Sequence, residues 1–333
     1  MKKLSIFASA LALMLCGTFT SCSVEDNATG DGGLTEVLDN GDALKKAIEL
    51  YGNEDGVLDL SESDIEILVI PEGDEYVIVE PTTIIGNGKL TLIAKNSLFL
   101  SSSLTLKNLK IDASELNAPL VKMDELPQES DAVEVDMISF EGVTVEGLKN
   151  QLVYGNKQKK YLIKKINIIN STINIVGAVK KTVIDFNGGG LPLDVTISNS
   201  TIAADEASQW QNGGLFSTQS GSTLADVTSD TNVTSTFTIA DSELTNIAKG
   251  KTTCTLRQNN QAWQYYVVKD NTITNCGKKN EFLVGLSAGR INKKENWTAS
   301  GNTITFDGED VGAAENEKSG IEGACIVPET PAE

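Results

Sequence analysis

The chain has 333 residues and contains no histidine, and its only two arginines are Arg257 and Arg290. Without imidazole it cannot build Ser–His or Cys–His nucleophilic sites or histidine zinc sites. Acid–base chemistry is therefore left to carboxylates, lysine, tyrosine or arginine. Cysteine is also scarce, and beyond the N-terminal segment only Cys254, Cys276 and Cys325 remain, an odd number without metal-ligand spacing. The sequence is compatible with buried free thiols and with a Cys254–Cys276 disulfide.

Positive charge is scarce overall, since the formal net charge is −19. Residues 23–148 carry 27 acidic and 7 basic side chains, residues 149–300 carry 11 and 17, and residues 301–333 carry 8 and 1. A strongly acidic chain argues against nucleic acid as a partner. The basic middle segment suits an anionic glycan on one face, and the alternative is a solvated charge pattern that maintains solubility.

Seven octets share one pattern and are spaced about 30 residues apart. They are Leu104–Ile111, Ile138–Val145, Ile166–Ile173, Val195–Ile202, Phe237–Leu244, Tyr266–Ile273 and Trp297–Ile304. The first and third positions are apolar in all seven, although only 40% of the chain is hydrophobic. The fifth position is always Gly, Asn or Asp, which enter left-handed backbone conformations at low cost. Each octet therefore predicts a strand, a sharp bend and a second strand whose seventh-position side chain points to water.

A further short apolar segment follows each octet. These segments are Leu120-Val121, Leu152–Tyr154, Val183-Ile184, Leu215-Phe216, Cys254–Leu256, Phe282–Val284 and, weakly, Ala324–Val327. Three strands per repeat predict an all-β fold, a parallel β-helix with about eight or nine coils, in which stacked coils bury a continuous core. Parallel crossovers make it right-handed. A β-sandwich would show closer turn signals, and a propeller would need four strands per repeat.

The N-terminus has the pattern of an exported lipoprotein. A basic start and an apolar run without charge predict a signal peptide over residues 1–21, too short to span a membrane stably. Ser21-Cys22 resembles a bacterial lipobox, so we expect Cys22 to carry lipid in the outer membrane; ordinary cleavage nearby is the alternative. Residues 22–33 predict a flexible acidic tether. Its acidic start resembles the surface-export signal of Bacteroidota lipoproteins, with a plain soluble tether as the alternative.

One helix is predicted over Asn40–Tyr51, capped by Asn40 or Asp42 and ended by Gly52. Strands follow at Val57–Leu60, Ile67–Ile70 and Tyr76–Val79, and Gly86–Leu100 predicts a first irregular coil. This beginning resembles pectin-lyase-like β-helices, in which a helix covers the open end of the first coil. One β-helix domain is predicted over residues 34–327, with a disordered tail at 328–333. The Gly-His-Gly motif of the related glycosidases is absent.

Pectate-lyase-type β-helices use an arginine or lysine base with bound Ca²⁺, so the resemblance implies Arg257 and Arg290 as weak catalytic candidates. Loops are predicted at 124–136, 155–165, 203–212, 218–236, 257–264 and 290–296. Trp210 and Trp263 lie in two of them, and Trp297 heads an inward column. Basic groups beside indole rings suit a sugar ring.

A calcium site would need several convergent carboxylates. Asp185, Asp241 and Asp270 are the nearest candidates, so Ca²⁺ is expected only with lyase chemistry. We expect non-catalytic glycan binding or display through Trp210, Trp263, Arg257 and Arg290, with a uronate-directed polysaccharide lyase as the alternative. Adhesive surface display is a third interpretation, and the oligomeric state stays open.

Overall fold

The computed structural model describes residues 43–73, 76–127, 130–155, 160–177, 179–180, 182–186, 190–210, 214–218, 236–249, 256–258, 265–277, 284–286 and 297–310. Within these ranges one α-helix, α1 (Ala43–Tyr51), precedes 29 strands, which belong almost entirely to three long sheets. No helix in the described residues is long and apolar enough to cross a bilayer.

The first sheet has nine strands. In sheet order they are β1 (Val57–Asp59), β4 (Thr82–Ile85), β7 (Leu104–Lys107), β10 (Val133–Glu141), β13 (Tyr161–Ile169), β17 (Leu191–Ser198), β21 (Thr236–Ala240), β24 (Tyr265–Lys269) and β27 (Trp297–Ser300).

The second sheet has ten strands. They are β2 (Ile67–Ile70), β5 (Thr91–Ala94), β8 (Lys110–Asp112), β11 (Thr144–Leu148), β14 (Thr172–Ile175), β18 (Thr201–Ala204), β22 (Glu243–Thr245), β25 (Thr272–Thr274), β28 (Thr303–Phe306) and β29 (Glu309–Asp310).

The third sheet has eight strands, and a small fourth sheet has two. The third contains β3 (Tyr76–Ile78), β6 (Leu98–Leu100), β9 (Val121–Met123), β12 (Val153–Tyr154), β16 (Ile184–Asp185), β20 (Phe216–Thr218), β23 (Leu256–Gln258) and β26 (Val284–Leu286); the fourth pairs β15 (Val179–Lys180) with β19 (Gln209–Trp210).

The chain visits the three long sheets in turn, and each strand pairs in parallel with the strand one repeat away. The exception among the described pairs is β29, which folds back antiparallel on β28. This arrangement is all-β and consistent with a parallel β-helix, as the repeat predicts. The third-sheet strands contain or adjoin the predicted third segments; Ala324–Val327 lies outside the described residues.

The predicted columns are confirmed residue by residue. The first octet positions pair in one continuous line along the first sheet, and so do the third positions. The line of third positions runs Leu106, Phe140, Ile168, Ile197, Ile239, Val268 and Ala299. The members from Leu106 to Val268 are at most 2% exposed. Stacking therefore builds one continuous core, because each apolar side chain is covered by its counterparts on the neighbouring strands.

The bend between the first two sheets is left-handed in every octet. The seven fifth-position residues have φ values from 47° to 68°: Asn108, Gly142, Asn170, Asn199, Asp241, Asp270 and Gly301. A side chain with Cβ costs about 1–2 kcal/mol in this region unless it is Asn or Asp. The conformational role predicted from residue type alone is confirmed.

We expect Asn199→Ala to lower the free energy of unfolding by about 1 kcal/mol, because alanine tolerates φ near 47° poorly. Asn199→Gly should lose less, since glycine enters this region freely and loses only unfolded-state restriction. Urea unfolding of both variants measures the difference. An alanine variant as stable as the glycine variant would contradict the assigned bend.

A buried polar ladder follows the bend, at the sixth octet position. The backbone N–H of Ser171 donates to Ser200 Oγ at 3.1 Å, and that of Ser200 donates to Ser242 Oγ at 3.2 Å. The same pattern continues through the side-chain oxygens of Asn271 and Asn302. Because these groups are buried, each unmade bond would leave a costly orphan donor. The ladder therefore locks the register between neighbouring turns.

The first turns of the fold begin earlier than predicted. Strands β1–β3 and β4–β6 already form two full passes through the sheets, so the prediction that Gly86–Leu100 is the first coil is wrong. Thr82 stands in register with Leu104, and Thr91 with Lys110. The segment between those strands is three residues longer than in the octets, which hides the repeat.

Helix α1 packs its Leu44 and Ala47 side, nearly inaccessible to solvent, against β1 and β2. It ends at the predicted glycine: the N–H of Gly52 donates to the Ile48 carbonyl at 2.9 Å, and a Cβ at Gly52 would lie 2.4 Å from that oxygen. The proposed caps Asn40 and Asp42 lie outside the described residues. Two predicted loops are shorter than expected, because β10 begins at Val133 and β13 at Tyr161.

Candidate functional site

A line of in-register positions, several of them polar, runs along the third sheet. Its strands bury Val121, Val153 and Ile184 completely, and at the positions that follow them Lys122 and Tyr154 are partly exposed whereas Asp185 is 8% exposed. The register aligns these positions in one line: Phe99, Lys122, Tyr154, Asp185, Ser217, Arg257 and Gly285. Adjacent strands lie about 4.8 Å apart. The column therefore presents one side-chain position per strand along the stacking direction.

The N-terminal end of the column consists of an apolar residue, Phe99, followed by a positively charged one, Lys122. Phe99 is only 6% exposed, and Lys122 Nζ lies 4.9 Å from the centre of its ring. A cation over an aromatic face contributes about 0.5–1 kcal/mol at a partly exposed site. This contact holds the Lys122 ammonium over the preceding strand of the column.

The centre of the column is a group of three polar side chains. Asp185 is 8% exposed and Gln151 is 2% exposed, and Gln151 Nε2 lies 3.5 Å from Asp185 Oδ2, the long limit of a hydrogen bond. Tyr154, one strand away, is half-buried. Burial raises the pKa of Tyr154, and the negative charge of Asp185 raises that pKa further. The phenol therefore stays protonated at neutral pH and can donate a hydrogen bond beside a carboxylate that accepts one.

A second tyrosine borders the column. Tyr161 is fully buried at the start of β13, and its hydroxyl donates to the Asp124 carbonyl at 3.3 Å. Burial also raises the pKa of Tyr161. This contact ties the segment after β9 to the extended strand of the first sheet, so it fixes one margin of the site.

The prediction of an exposed loop at Trp210 is wrong. The residue lies in β19, pairs with Lys180 in register and is 3% exposed. Its indole Nε1 is buried with no hydrogen-bond partner among the described residues. The ring joins the main hydrophobic core, so it has almost no free face for a sugar. A large apolar ring among small polar neighbours looked like a binding residue, but tertiary packing uses it as core.

Of the residues predicted to bind a glycan, Arg257 falls in the column, and its backbone position is set by the pairing of β20 with β23. Trp263, Arg290 and Cys22 lie outside the described residues. Trp297 is in register with Tyr266, as its column predicts. The polar column itself was missed, although the alternation in Val121–Met123 and Val153-Tyr154 signals it once the strands are aligned.

The three carboxylates considered for calcium do not converge. Asp241 and Asp270 occupy the bends between the first two sheets at φ values of 51° and 55°, whereas Asp185 lies on the third sheet. No group of three possible metal-binding side chains occurs among the described residues. A calcium cage from these three aspartates is therefore excluded by their placement.

The one cysteine in the described ranges, Cys276, is a buried free thiol. Burial raises the pKa of Cys276 to about 12, so the thiolate that reacts with oxidants and metals is not formed at neutral pH. Cys254 and Cys325 lie outside the described residues.

A comparison with protein families finds one match, to a family described as "Domain of unknown function (DUF4957)", over residues 78–205. These residues run from the end of β3 to just past β18 and include Lys122, Tyr154 and Asp185. No curated protein and no solved structure matches the chain. The chain is therefore similar, over somewhat more than a third of its length, to a domain whose function its description leaves open.

Proposed function

We propose that the protein is a surface lipoprotein whose body is a right-handed parallel β-helix and whose third-sheet column binds a polysaccharide without cleaving it. The observation that carries the proposal is the in-register line Lys122, Tyr154, Asp185. It offers an ammonium, a phenol and a carboxylate at successive strands. A glycan chain lying along the stack would meet one hydrogen-bonding group about every 4.8 Å.

The composition of the column favours a glycan over a peptide or an apolar ligand. Sugar rings are bound by planar groups that pack on their C–H faces and by charged or amide groups that exchange hydrogen bonds with their hydroxyls. Tyr154 supplies the ring, Lys122 a charged donor and the slightly exposed carboxylate of Asp185 an acceptor, while the buried Gln151 supports Asp185 from within. Arg257, at the same register position two strands beyond Asp185, would extend the line toward an anionic sugar.

The cellular location in this proposal depends on the N-terminal sequence. Residues 1–21 supply the export signal, Cys22 the lipid attachment to the outer membrane, and residues 22–33 the tether that holds the body away from the membrane. Labelling of whole cells with a membrane-impermeant reagent tests surface exposure, and we expect the protein to be labelled. Cell fractionation tests the anchor, because Cys22→Ala should release the protein from the membrane fraction. A variant that stays membrane-bound would contradict lipid anchoring.

Affinity electrophoresis of the mature protein through gels containing pectin, alginate, hyaluronan, arabinan or mannan tests glycan binding. We expect retardation in at least one gel, and Tyr154→Ala should weaken it about tenfold, because an aromatic and hydrogen-bonding contact contributes about 1–1.5 kcal/mol. Tyr265→Ala is the matched control, since Tyr265 is 47% exposed and belongs to the first sheet rather than to the third-sheet column. No retardation in any gel, or equal retardation of both variants, would refute the proposal.

A polysaccharide lyase is the second candidate, favoured by the position of Arg257 in the column with Tyr154 and Asp185. An arginine could take the proton next to a uronate carboxyl group while the glycosidic C–O bond at the adjacent carbon breaks; any Ca²⁺ would have to be held by the substrate, since no group of three possible metal-binding side chains occurs among the described residues. The unsaturated product absorbs in the ultraviolet, so pectin or alginate with Ca²⁺ gives a direct assay. Product formation that Arg257→Gln abolishes would establish the lyase; retardation without product would establish binding alone.

A further inference from the structure

A depression lies at the corner between the first and second sheets, on the left-handed bends and away from the third-sheet column. Its volume is about 500 Å³, within the range of about 300–1,000 Å³ typical of small-ligand sites. Nine residues line it: Ser61, Gly86, Asn87, Gly88, Asn108, Leu109, Lys110, Gly142 and Thr144. Neither the repeat pattern nor the column on the third sheet accounts for it.

Two glycines, Gly88 and Gly142, border this space. A Cβ at Gly88 would meet nothing within 4 Å, so the residue borders open volume. A Cβ at Gly142 would lie 2.7 Å from Asn108 Oδ1, so the Asn108 carboxamide rests over Gly142, whereas the next four bends carry Asn or Asp side chains of their own. The three-residue extension after Gly86 forms the opposite wall, held by Asn87 Nδ2, which donates to the Ser63 carbonyl at 2.8 Å. The depression is therefore a local departure from an otherwise regular bend.

The lining offers hydrogen bonds without net charge. The side chains of Asn108 and Thr144 make no hydrogen bond with any described residue, and both reach the depression. Lys110 is paired at the surface with Glu146, whose Oε2 lies 2.6 Å from its Nζ. An amide, a hydroxyl and an ion-paired ammonium suit a ligand rich in hydroxyl groups, and a carboxylate or phosphate would have to compete with Glu146 for Lys110.

We propose that this depression binds a single neutral sugar residue, as a site separate from the third-sheet column. Asn108 would exchange hydrogen bonds with two adjacent hydroxyls through its amide oxygen and nitrogen, and Thr144 would bind a third. Sugar binding in the depression does not depend on the proposed polysaccharide binding at the third-sheet column, because the two sites share no residue.

The test uses saturation-transfer NMR of the mature protein with glucose, galactose, mannose, xylose and N-acetylglucosamine, and with sodium glucuronate as the charged probe. We expect at least one neutral sugar to bind, and to bind more tightly than glucuronate. Thr144→Val should weaken it about fivefold, whereas Thr172→Val, at the same register position one turn further along, should leave it unchanged.

Two further variants guard against a folding artefact. Asn108→Gly removes the amide but keeps the left-handed bend, so it should weaken sugar binding. Asn199→Gly, at the equivalent bend position of a later turn, is its control and should leave binding unchanged. Gly88→Asn should abolish binding by filling the space, while Gly73→Asn, also at positive φ with open surroundings, should not. Absence of binding by every neutral sugar, tighter binding of glucuronate, or equal losses in variants and controls would overturn the proposal. Retention of sugar binding by Tyr154→Ala distinguishes it from the column.

Discussion

Replacing Phe237 by alanine should lower the free energy of unfolding by about 3–5 kcal/mol, the largest single effect expected in the core. The Phe237 side chain is fully buried in the first column, between Val195 and Tyr266 in register. Its ring meets the ring of Phe216 edge-on at a centroid distance of 5.5 Å, and Phe216 in turn stacks on Phe186 at 6.3 Å. Truncation removes both the buried area and the contact that joins the first and third sheets.

Urea unfolding followed by circular dichroism measures the loss, with Thr238→Ala as the matched control. Thr238 is the next residue, half-buried on the outward side of the same strand, so its truncation should cost less than about 1 kcal/mol. Similar losses for the two variants would mean that Phe237 does not face the interior, and the proposed stacking of columns would fail with it.

The second large effect is expected at Gly147, inside β11, where the register shifts between Val145 and Leu148. Its φ is 71°, and a Cβ there would lie 2.7–2.9 Å from Cα, N and Cβ of Ser114 on the preceding turn. Gly147→Ala therefore combines left-handed strain, about 1–2 kcal/mol, with backbone overpacking, about 1–3 kcal/mol. We expect a total loss of about 3 kcal/mol in the free energy of unfolding.

Gly73→Ala separates the two causes. Gly73 also has a positive φ, 100°, but a Cβ there would meet nothing within 4 Å, so only the conformational cost applies. The difference between the two alanine variants in thermal or urea unfolding reports the close approach of the turns at Ser114. Equal losses would show that the backbones can separate without penalty.

The repeating part of the fold could be predicted from the sequence because it depends on residue type at fixed spacing. The inward columns, and the left-handed bends at Asn199 and Asp241, follow from hydrophobicity and backbone preference alone. The first two turns could not be recognised, since Thr82 places a polar residue where the octets have an apolar one and the extension after Gly86 breaks the spacing. The polar ladder was visible as Ser or Asn at the sixth position of the later octets but needed coordinates to reveal its partners.

The site was less predictable, because it depends on which turns place side chains together across many residues of sequence. Tyr154 and Asp185 are adjacent only through the pairing of β12 with β16. Trp210 is of a residue type that often binds sugars, yet packing buries it. The depression at the corner arises where side chains are missing, at Gly88 and Gly142, and absence of side chains gives little signal in a sequence.

The hydrogen bonds of the ladder at the sixth position all run the same way along the chain, which sets the order in which they can form. The amide of each turn donates to a side chain that comes later in the chain: Val143 to Ser171, Ser171 to Ser200, Ser242 to Asn271. A chain that emerges from its N-terminus can therefore complete each of these bends only after the following turn has been laid down. At the growing front the ladder amide stays unmatched, together with the unpaired backbone edges of the newest strands, until the next turn completes them.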